Sequence, residues 1–227
     1  MGTMSAIASD LTTPVLLLAM PQVLDPFFHK SVVLLLHHED EGSFGFIVNR
    51  PTGIKLQEIL EGMEVSWQGG DEAVAHFGGP VQPQLGTVLF SPGPAETEAA
   101  TEVLPGVSIT QHIGDLARLA EAPPSDFRLV LGYAGWGSGQ LIQEILRNDW
   151  LTAPVRSDLI FAPDPEQVWD EALRSVGVDP SALPSWTQPS GGSKHLLTEI
   201  EDRFGPPQHE WHNDDGSVTP VFIPARR

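Results

Sequence analysis

No cysteine occurs among the 227 residues. That excludes disulfides, thiol nucleophiles, Cys-ligated zinc and iron–sulfur clusters. It also fits a reducing, cytoplasmic setting. Positive charge is scarce: 12 Lys and Arg face 30 Asp and Glu, for a formal net charge of −18. DNA binding draws much of its affinity from counterions released by Lys and Arg, so direct nucleic-acid binding is not expected. The same sign of charge opposes docking on anionic membranes. Long apolar runs are missing as well. Val15–Met20 is far too short to span a bilayer. Met1–Asp10 has neither the basic start nor the apolar stretch of a signal peptide. Met1-Gly2 would open a lipidation signal, but position 6 is Ala6. Met4 is read as the natural start.

Hydrophobic residues make up 41% of the chain, enough for a sizeable core, while 21 Pro and 22 Gly call for many turns. Short apolar runs predict strands at Pro14–Met20, Ser31–His37, Phe44–Asn49, Ala75–Phe77, Thr87–Phe90, Val107–His112, Arg128–Gly132 and Leu159–Phe161. Val107–His112 is expected at a sheet edge. The polar turn His38–Gly42 suggests a hairpin between the second and third strands. Helical spacing predicts helices at Leu56–Met63, Gly114–Glu121, Gln140–Asn148 and Glu166–Val176, the third capped by Ser138. Strands and helices do not alternate strictly. The expected fold class is therefore α+β, with a mixed, mostly antiparallel sheet and flanking helices. Residues 11–184 read as one domain and 185–227 as a C-terminal extension. Within the extension, Ser185–Ser193 reads as a linker, His195–Phe204 as a short helix and Gln208–Ile223 as a hairpin turning at Asn213–Gly216.

Four clusters could carry chemistry. Asp25 stands before Pro26 in a turn. His38 and Gly42 lead to Asn49-Arg50-Pro51. Gly78-Gly79-Pro80 follows a strand. Gly132-Tyr133-Ala134-Gly135-Trp136-Gly137-Ser138-Gly139-Gln140 lies between a strand and a helix, with Glu144 and Trp150 beyond. That last segment is read as a tight strand-to-helix turn. Its position resembles an anion site at a helix N-terminus; a turn packed under Trp136 is the structural alternative. No Walker lysine follows and the spacing is not a dinucleotide fingerprint. Ser138 lacks the glycine two residues earlier that a nucleophile elbow needs. Arg50 could fork onto a carboxylate such as Asp25 or hold an anionic ligand. His37 and His38 would point to opposite faces of a strand, and His29, His195, His209 and His212 complete no recognised metal spacing. Neither a metal nor a cofactor is expected.

Taken in order, these stretches resemble the YqgE/AlgH family of bacterial proteins. The matching residues are Ala19-Met20-Pro21, Asp25-Pro26-Phe27, Ser31-Val32-Val33, His38 with Gly42, Gly45–Pro51, Gly78–Val81, Gly132–Trp136, Gly139-Gln140-Leu141, Glu144 and Trp150. The resemblance runs from about residue 11 to about 177. It implies an α+β fold with a sheet curled into a pseudo-barrel. Some members of the family are named as transcriptional regulators, of alginate synthesis for example. The family has no established catalytic residues to carry over.

The favoured reading is a non-enzymatic regulatory protein that binds a small ligand or a protein partner. Its candidate surface comprises Asp25, His38, Asn49, Arg50, Gly79, Gly135, Trp136, Gly139, Gln140 and Glu144. One alternative is an enzyme with an acid/base site around Asp25, His38 and Glu144, which requires at least two of them to meet in one cleft. The other is a transcriptional regulator, as some family members are named. Self-association through the extension is a further expectation.

Overall fold

The computed structural model describes residues 11–184, together with the backbone of His209–His212 and Val218–Val221. The fold is α+β, built on mostly antiparallel strand pairs with a few short helices. The chain divides into two compact units. Among the described residues, one contains 11–50, Gly78–Val81 and 133–184; the other contains Pro51–Phe77 and Gln82–Gly132.

In the first unit, β1 (Val15–Ala19) lies between β10 (Trp150–Ala153) and β2 (Val32–Glu39), antiparallel to both. Leu16, Leu17 and Leu18 in β1 and Val32–Leu35 in β2 are all at 0% exposure. Such continuous apolar runs mark strands covered on both faces. Each of these side chains contributes about 1.5–3 kcal/mol by leaving water. β2 pairs with β3 (Gly42–Ile47) as the expected hairpin, with a bulge between Leu35 and His37. His38 belongs to β2 and not to the turn, which shrinks to Asp40-Glu41. β3 pairs in turn with the end of β9 (Phe127–Gly137), from Gly45↔Ala134 to Gly42↔Gly137. Gly45 has to be glycine, since a Cβ there would lie 2.3 Å from the Leu34 carbonyl oxygen.

The run Leu159–Phe161, expected as a strand, is instead the short helix α4 (Ser157–Ile160). A three-residue apolar run has no period that separates strand from helix. Helix α5 (Val168–Ser175) packs by Val168, Trp169, Ala172 and Leu173, all nearly inaccessible. The Trp169 indole donates to the Ala19 carbonyl at 2.8 Å and fixes the helix against β1.

In the second unit, β4 (Pro51–Lys55) pairs with β5 (Val74–Phe77), and β5 runs parallel to the first half of β9. Pro51 ends the preceding segment as expected but also opens β4, since the first residue of a strand tolerates proline. β6 (Val81–Phe90) is longer than the expected Thr87–Phe90, because Pro83 and Gly86 interrupt the pattern without ending the strand. β8 (Val107–Thr110) was expected at an edge. It lies between β6 and β7 (Thr101–Leu104), so β7 is the edge. Helices α1 (Leu56–Glu61) and α2 (Ile113–Glu121) close this unit's core. Leu56, Leu60, Leu116, Leu119 and Ala120 meet Ala75, Val88, Phe90 and Leu129 there.

The hairpin expected in the extension is present as β11 (His209–His212) paired with β12 (Val218–Val221). The linker Ser185–Ser193, the helix His195–Phe204, the turn Asn213–Gly216 and the N-terminal Met1–Asp10 lie outside the described residues.

Candidate functional site

Of the candidate residues in the first unit, Trp136, Gln140, Glu144 and the loop that starts at Asp25 are tied to one aromatic cluster. Asp25 starts the loop that enters it. Its Oδ1 accepts the Phe27 N–H at 2.9 Å, and its carbonyl accepts the N–H groups of Phe28 (3.0 Å) and His29 (2.8 Å). An aspartate before proline is suited to such a local turn. The turn buries Phe27 and sets the Phe28 ring against Trp136 (centroids 6.3 Å apart) and edge-on to Trp150 (5.7 Å). Trp136 and Trp150 meet edge to face at 5.8 Å. These are favourable aromatic geometries.

The expected strand-to-helix turn is shorter than the glycine-rich segment, and Trp136 belongs to the strand. β9 continues through it to Gly137, and α3 (Gln140–Leu146) begins three residues later. Only Ser138 and Gly139 form the turn. Gly139 takes the N-cap position at φ 67°, and no side chain caps the helix, so the expected Ser138 cap is absent. The polar groups are used internally. Both indole Nε1–H groups, of Trp136 and of Trp150, donate to Glu144 Oε2 at 2.8 Å. Gln140 Nε2 donates to Glu144 Oε1 at 2.9 Å, and Gln140 Oε1 accepts the Gly137 N–H at 3.1 Å. The helix has only seven residues, and no side chain caps its first turn.

His38 and Asn49 are similarly engaged. His38 Nδ1 lies 2.7 Å from Ser43 Oγ. Asn49 is 5% exposed; its Oδ1 accepts the Val32 N–H at 2.8 Å and its Nδ2 donates to the Lys30 carbonyl at 2.9 Å. Its amide thus behaves as one more backbone unit alongside Lys30-Ser31-Val32. Gly79 (φ 152°) lets the chain pass Tyr133, since a Cβ there would sit 2.1 Å from the Tyr133 carbonyl carbon. Gly135 is exposed, with Tyr133 and Val81 beside it. His38 and Glu144 bond to Ser43 and to the indoles, not to each other.

Arg50, at the end of the same segment, forms part of a basic group that the sequence reading did not assemble. Burial first, then the charges of Arg50 and Lys30, pushes the His29 imidazole down from 6.5 to about 4. Lys30 also lies over the Trp169 ring, 5.1 Å from its centroid. The signal for this group was present in the sequence, since Lys30 and Arg50 are two of only 12 basic residues.

A family model described as AlgH-like matches residues 16–181. The chain belongs to the AlgH-like family. Among AlgH-like relatives, a UPF0301 protein of Myxococcus xanthus is 40% identical over 171 residues, covering 75% of this chain and 93% of its own. A UPF0301 protein of Thioalkalivibrio sulfidiphilus is 39% identical over 178 residues, with 78% and 95% covered. The solution structure of AlgH from Pseudomonas aeruginosa superposes with a TM-score of 0.61 at 32% identity, over 78% of this chain and 94% of that one. The crystal structure of a Corynebacterium diphtheriae protein shares the fold, with a TM-score of 0.59 at 23% identity over 77% and 91% of the two chains. The family match ends at residue 181, before the extension. Among the described residues, no helix is long and apolar enough to cross a membrane.

Proposed function

We propose that this AlgH-like protein is a non-enzymatic, cytoplasmic regulatory protein that binds an anionic small ligand beside the Asp25–Lys30 loop. The observation that carries the reading is the basic group. Lys30 and Arg50 both act on His29 in a chain of net charge −18. In so acidic a molecule, a local concentration of positive charge draws an anion to that place. Arg50 already has a partner in the fold, and a guanidinium with five N–H donors can take a carboxylate or phosphate besides. Binding is favoured over catalysis because Asp25, His38 and Glu144, the acid/base candidates, are each bonded within the fold.

The regulatory part of the reading rests on the family resemblance, since some members are named as transcriptional regulators. The net charge favours action through a ligand or partner protein over direct contact with DNA. Self-association through the extension belongs to the same proposal. A two-stranded hairpin such as β11–β12 is marginal alone and gains from a third strand.

The test is a thermal-shift screen of the full chain against sugar phosphates, nucleotides and dicarboxylates, repeated with Arg50→Ala. A ligand bound only by the folded state raises Tm saturably. The expected result is a saturable rise in wild type that Arg50→Ala abolishes. An unchanged Tm with every compound, or a rise that Arg50→Ala retains, would overturn the proposal.

A further inference from the structure

One face of the β2–β3–β9 pairing in the first unit is lined by rings and bare backbone. His37 pairs with Phe44, and Phe44 pairs with Gly135. The next row along is Glu39, Gly42 and Gly137. Alternate residues of a strand share a face, so Phe46 and Tyr133 belong to it too. The rings touch in sequence. His37 stacks on Phe44 with centroids 5.8 Å apart, and Phe44 meets Phe46 and Tyr133 edge-on, each at 6.2 Å. Phe46 is buried, Phe44 and Tyr133 are half-buried, and Gly135 and Gly137 are exposed. The face therefore opens toward the hairpin turn. Ser43, Ala134 and Trp136 are buried on the other face, where Ser43 meets His38.

The fold itself does not call for glycine at the open end of β9. A Cβ at Gly42 would lie 2.6 Å from the Trp136 carbonyl oxygen, so that position needs its glycine. At Gly137 the nearest atom to a Cβ would be Gln140 Oε1 at 3.9 Å, and neither Gly137 nor Gly135 has a positive φ. At Gly135 the nearest atom is the edge of the Tyr133 ring at 3.3 Å, the far end of a side chain. Glycine inside a strand weakens it, and often marks a place where a ligand or another backbone comes close. The charge on this face has one sign. No Lys or Arg occurs in residues 32–47 or 133–137, while Glu39, Asp40 and Glu41 stand exposed at the open end. Glu39 lies 3.8 Å from His37, with 65% of its side chain exposed.

We propose that this face docks an arginine-bearing segment of a partner protein. A guanidinium is planar and stacks on aromatic rings, here Phe44 and Tyr133, with its charge toward Glu39. The segment's backbone lies over Gly135 and Gly137, where no side chain stands in its way. The acidic end of the face, in a chain of net charge −18, draws a basic segment and repels an acidic one. Lysine fits less well, because its ammonium is a compact, strongly hydrated point charge. The face uses neither the His29–Arg50 group nor the anion proposed beside it.

The experiment follows the amide signals of Gly135 and Gly137 by NMR in the full chain, at about 0.15 M ionic strength to screen diffuse attraction. Short peptides of alternating Arg and Ala, Lys and Ala, or Glu and Ala are titrated in. The expected result is a saturable shift of both amides with the Arg peptide, weaker binding of the Lys peptide and none of the Glu peptide. Tyr133→Leu and Glu39→Gln should each weaken the Arg peptide roughly threefold. Glu96→Gln, at an exposed acid of the second unit, should not. Gly137→Val fills the open floor and should abolish the Gly135 shift with Tm at or above wild type, since a β-branched residue suits a strand. If Gly137→Val melts below wild type, Tyr133→Leu and Glu39→Gln decide. Unmoved glycine amides, or Arg and Lys peptides bound equally and weakened alike by Glu96→Gln, would mean that net charge alone attracts them, and the proposal fails. Glycine shifts that grow with protein concentration, without peptide, would give the face to a second copy of this chain and overturn it as well.

Discussion

Trp136 donates its indole N–H to the carboxylate of Glu144 at 2.8 Å, and the same oxygen accepts Trp150 at the same distance. One half-buried acid therefore ties the end of β9 and the start of β10 to α3. Glu144→Ala leaves two buried donors without an acceptor. Each such group costs about 1–3 kcal/mol, so the expected loss is about 3 kcal/mol in all. At about 2–4 °C per kcal/mol for a chain of this size, the melting temperature should fall by roughly 6–12 °C. Glu144→Gln keeps an acceptor and should fall less. A Glu144→Ala protein melting with wild type would show that the network contributes nothing.

Asn49 is expected to act through the backbone it bridges. Asn49→Ala strands the Val32 N–H and the Lys30 carbonyl. The expected loss is about 2 kcal/mol. Asn49→Asp keeps the acceptor for Val32 but sets a carboxylate against the Lys30 carbonyl, and should be at least as harmful. Denaturant melts of the three proteins decide it. Equal midpoints would sink the bridging role.

The sequence showed much of this fold through its periods. Continuous apolar runs located β1 and β2, and helical spacing located α1, α2, α3 and α5. The short strands β4, β7 and β10 were harder to see. Pro51 and the polar Thr101-Glu102 carry no alternation that stands out from a loop. Trp150 stood out as a motif residue, but the four residues Trp150–Ala153 are too few to show a strand period.

The candidate site was legible in part. Asp25, Asn49, Arg50, Trp136 and Glu144 were singled out by type and order, and all fall in the first unit. The partner that each side chain takes, such as Glu144 for Trp136 or the Val32 N–H for Asn49, was not legible, because it depends on which segment stands beside which. Glycine-rich Gly132–Gly139 looked like a loop, yet most of it is strand: Gly135 and Gly137 lie opposite Phe44 and Gly42 in register. The basic group at His29 was missed because Lys30 and Arg50 stand on either side of the β2–β3 hairpin, and only the pairing of those strands brings them to one place.

Asp115 should hold the segment before β7 in place. Its side chain is at 0% exposure and accepts from the N–H groups of Glu98 (2.8 Å) and Ala99 (3.0 Å), the Thr110 hydroxyl (3.0 Å) and Arg118 (3.1 Å). Burial alone would raise this carboxyl. The two backbone N–H groups, Thr110 and His112 outweigh it and hold the group below 3.8. The stability it contributes is present above the unfolded value and is lost as pH falls through the lower folded value. Asp115→Ala should cost about 3 kcal/mol at neutral pH, since the buried Thr110 hydroxyl and two backbone N–H groups lose their acceptor together. Hydrogen exchange should show Glu98 and Ala99 losing protection first. Unchanged exchange at those two amides would remove Asp115 as the anchor.

His76 should make the protein acid-sensitive in a different pH window. The folded ring titrates at about 3 and the unfolded ring at 6.5. Between those values the unfolded chain binds the proton and the folded chain does not, so stability falls as pH falls. By pH 5 the expected loss from this one group is about 2 kcal/mol. His29, held at about 4, acts in the same direction but is less buried. The comparison of wild type with His76→Phe isolates the His76 contribution. Urea midpoints measured from pH 7.5 to pH 4.5 should fall more steeply in wild type, and the two curves should diverge below about pH 6.5, where the unfolded imidazole begins to charge. Parallel curves across that range would mean that His76 gains its proton in the folded state as readily as in the unfolded one, and that its surroundings are far more polar than the strands around it suggest.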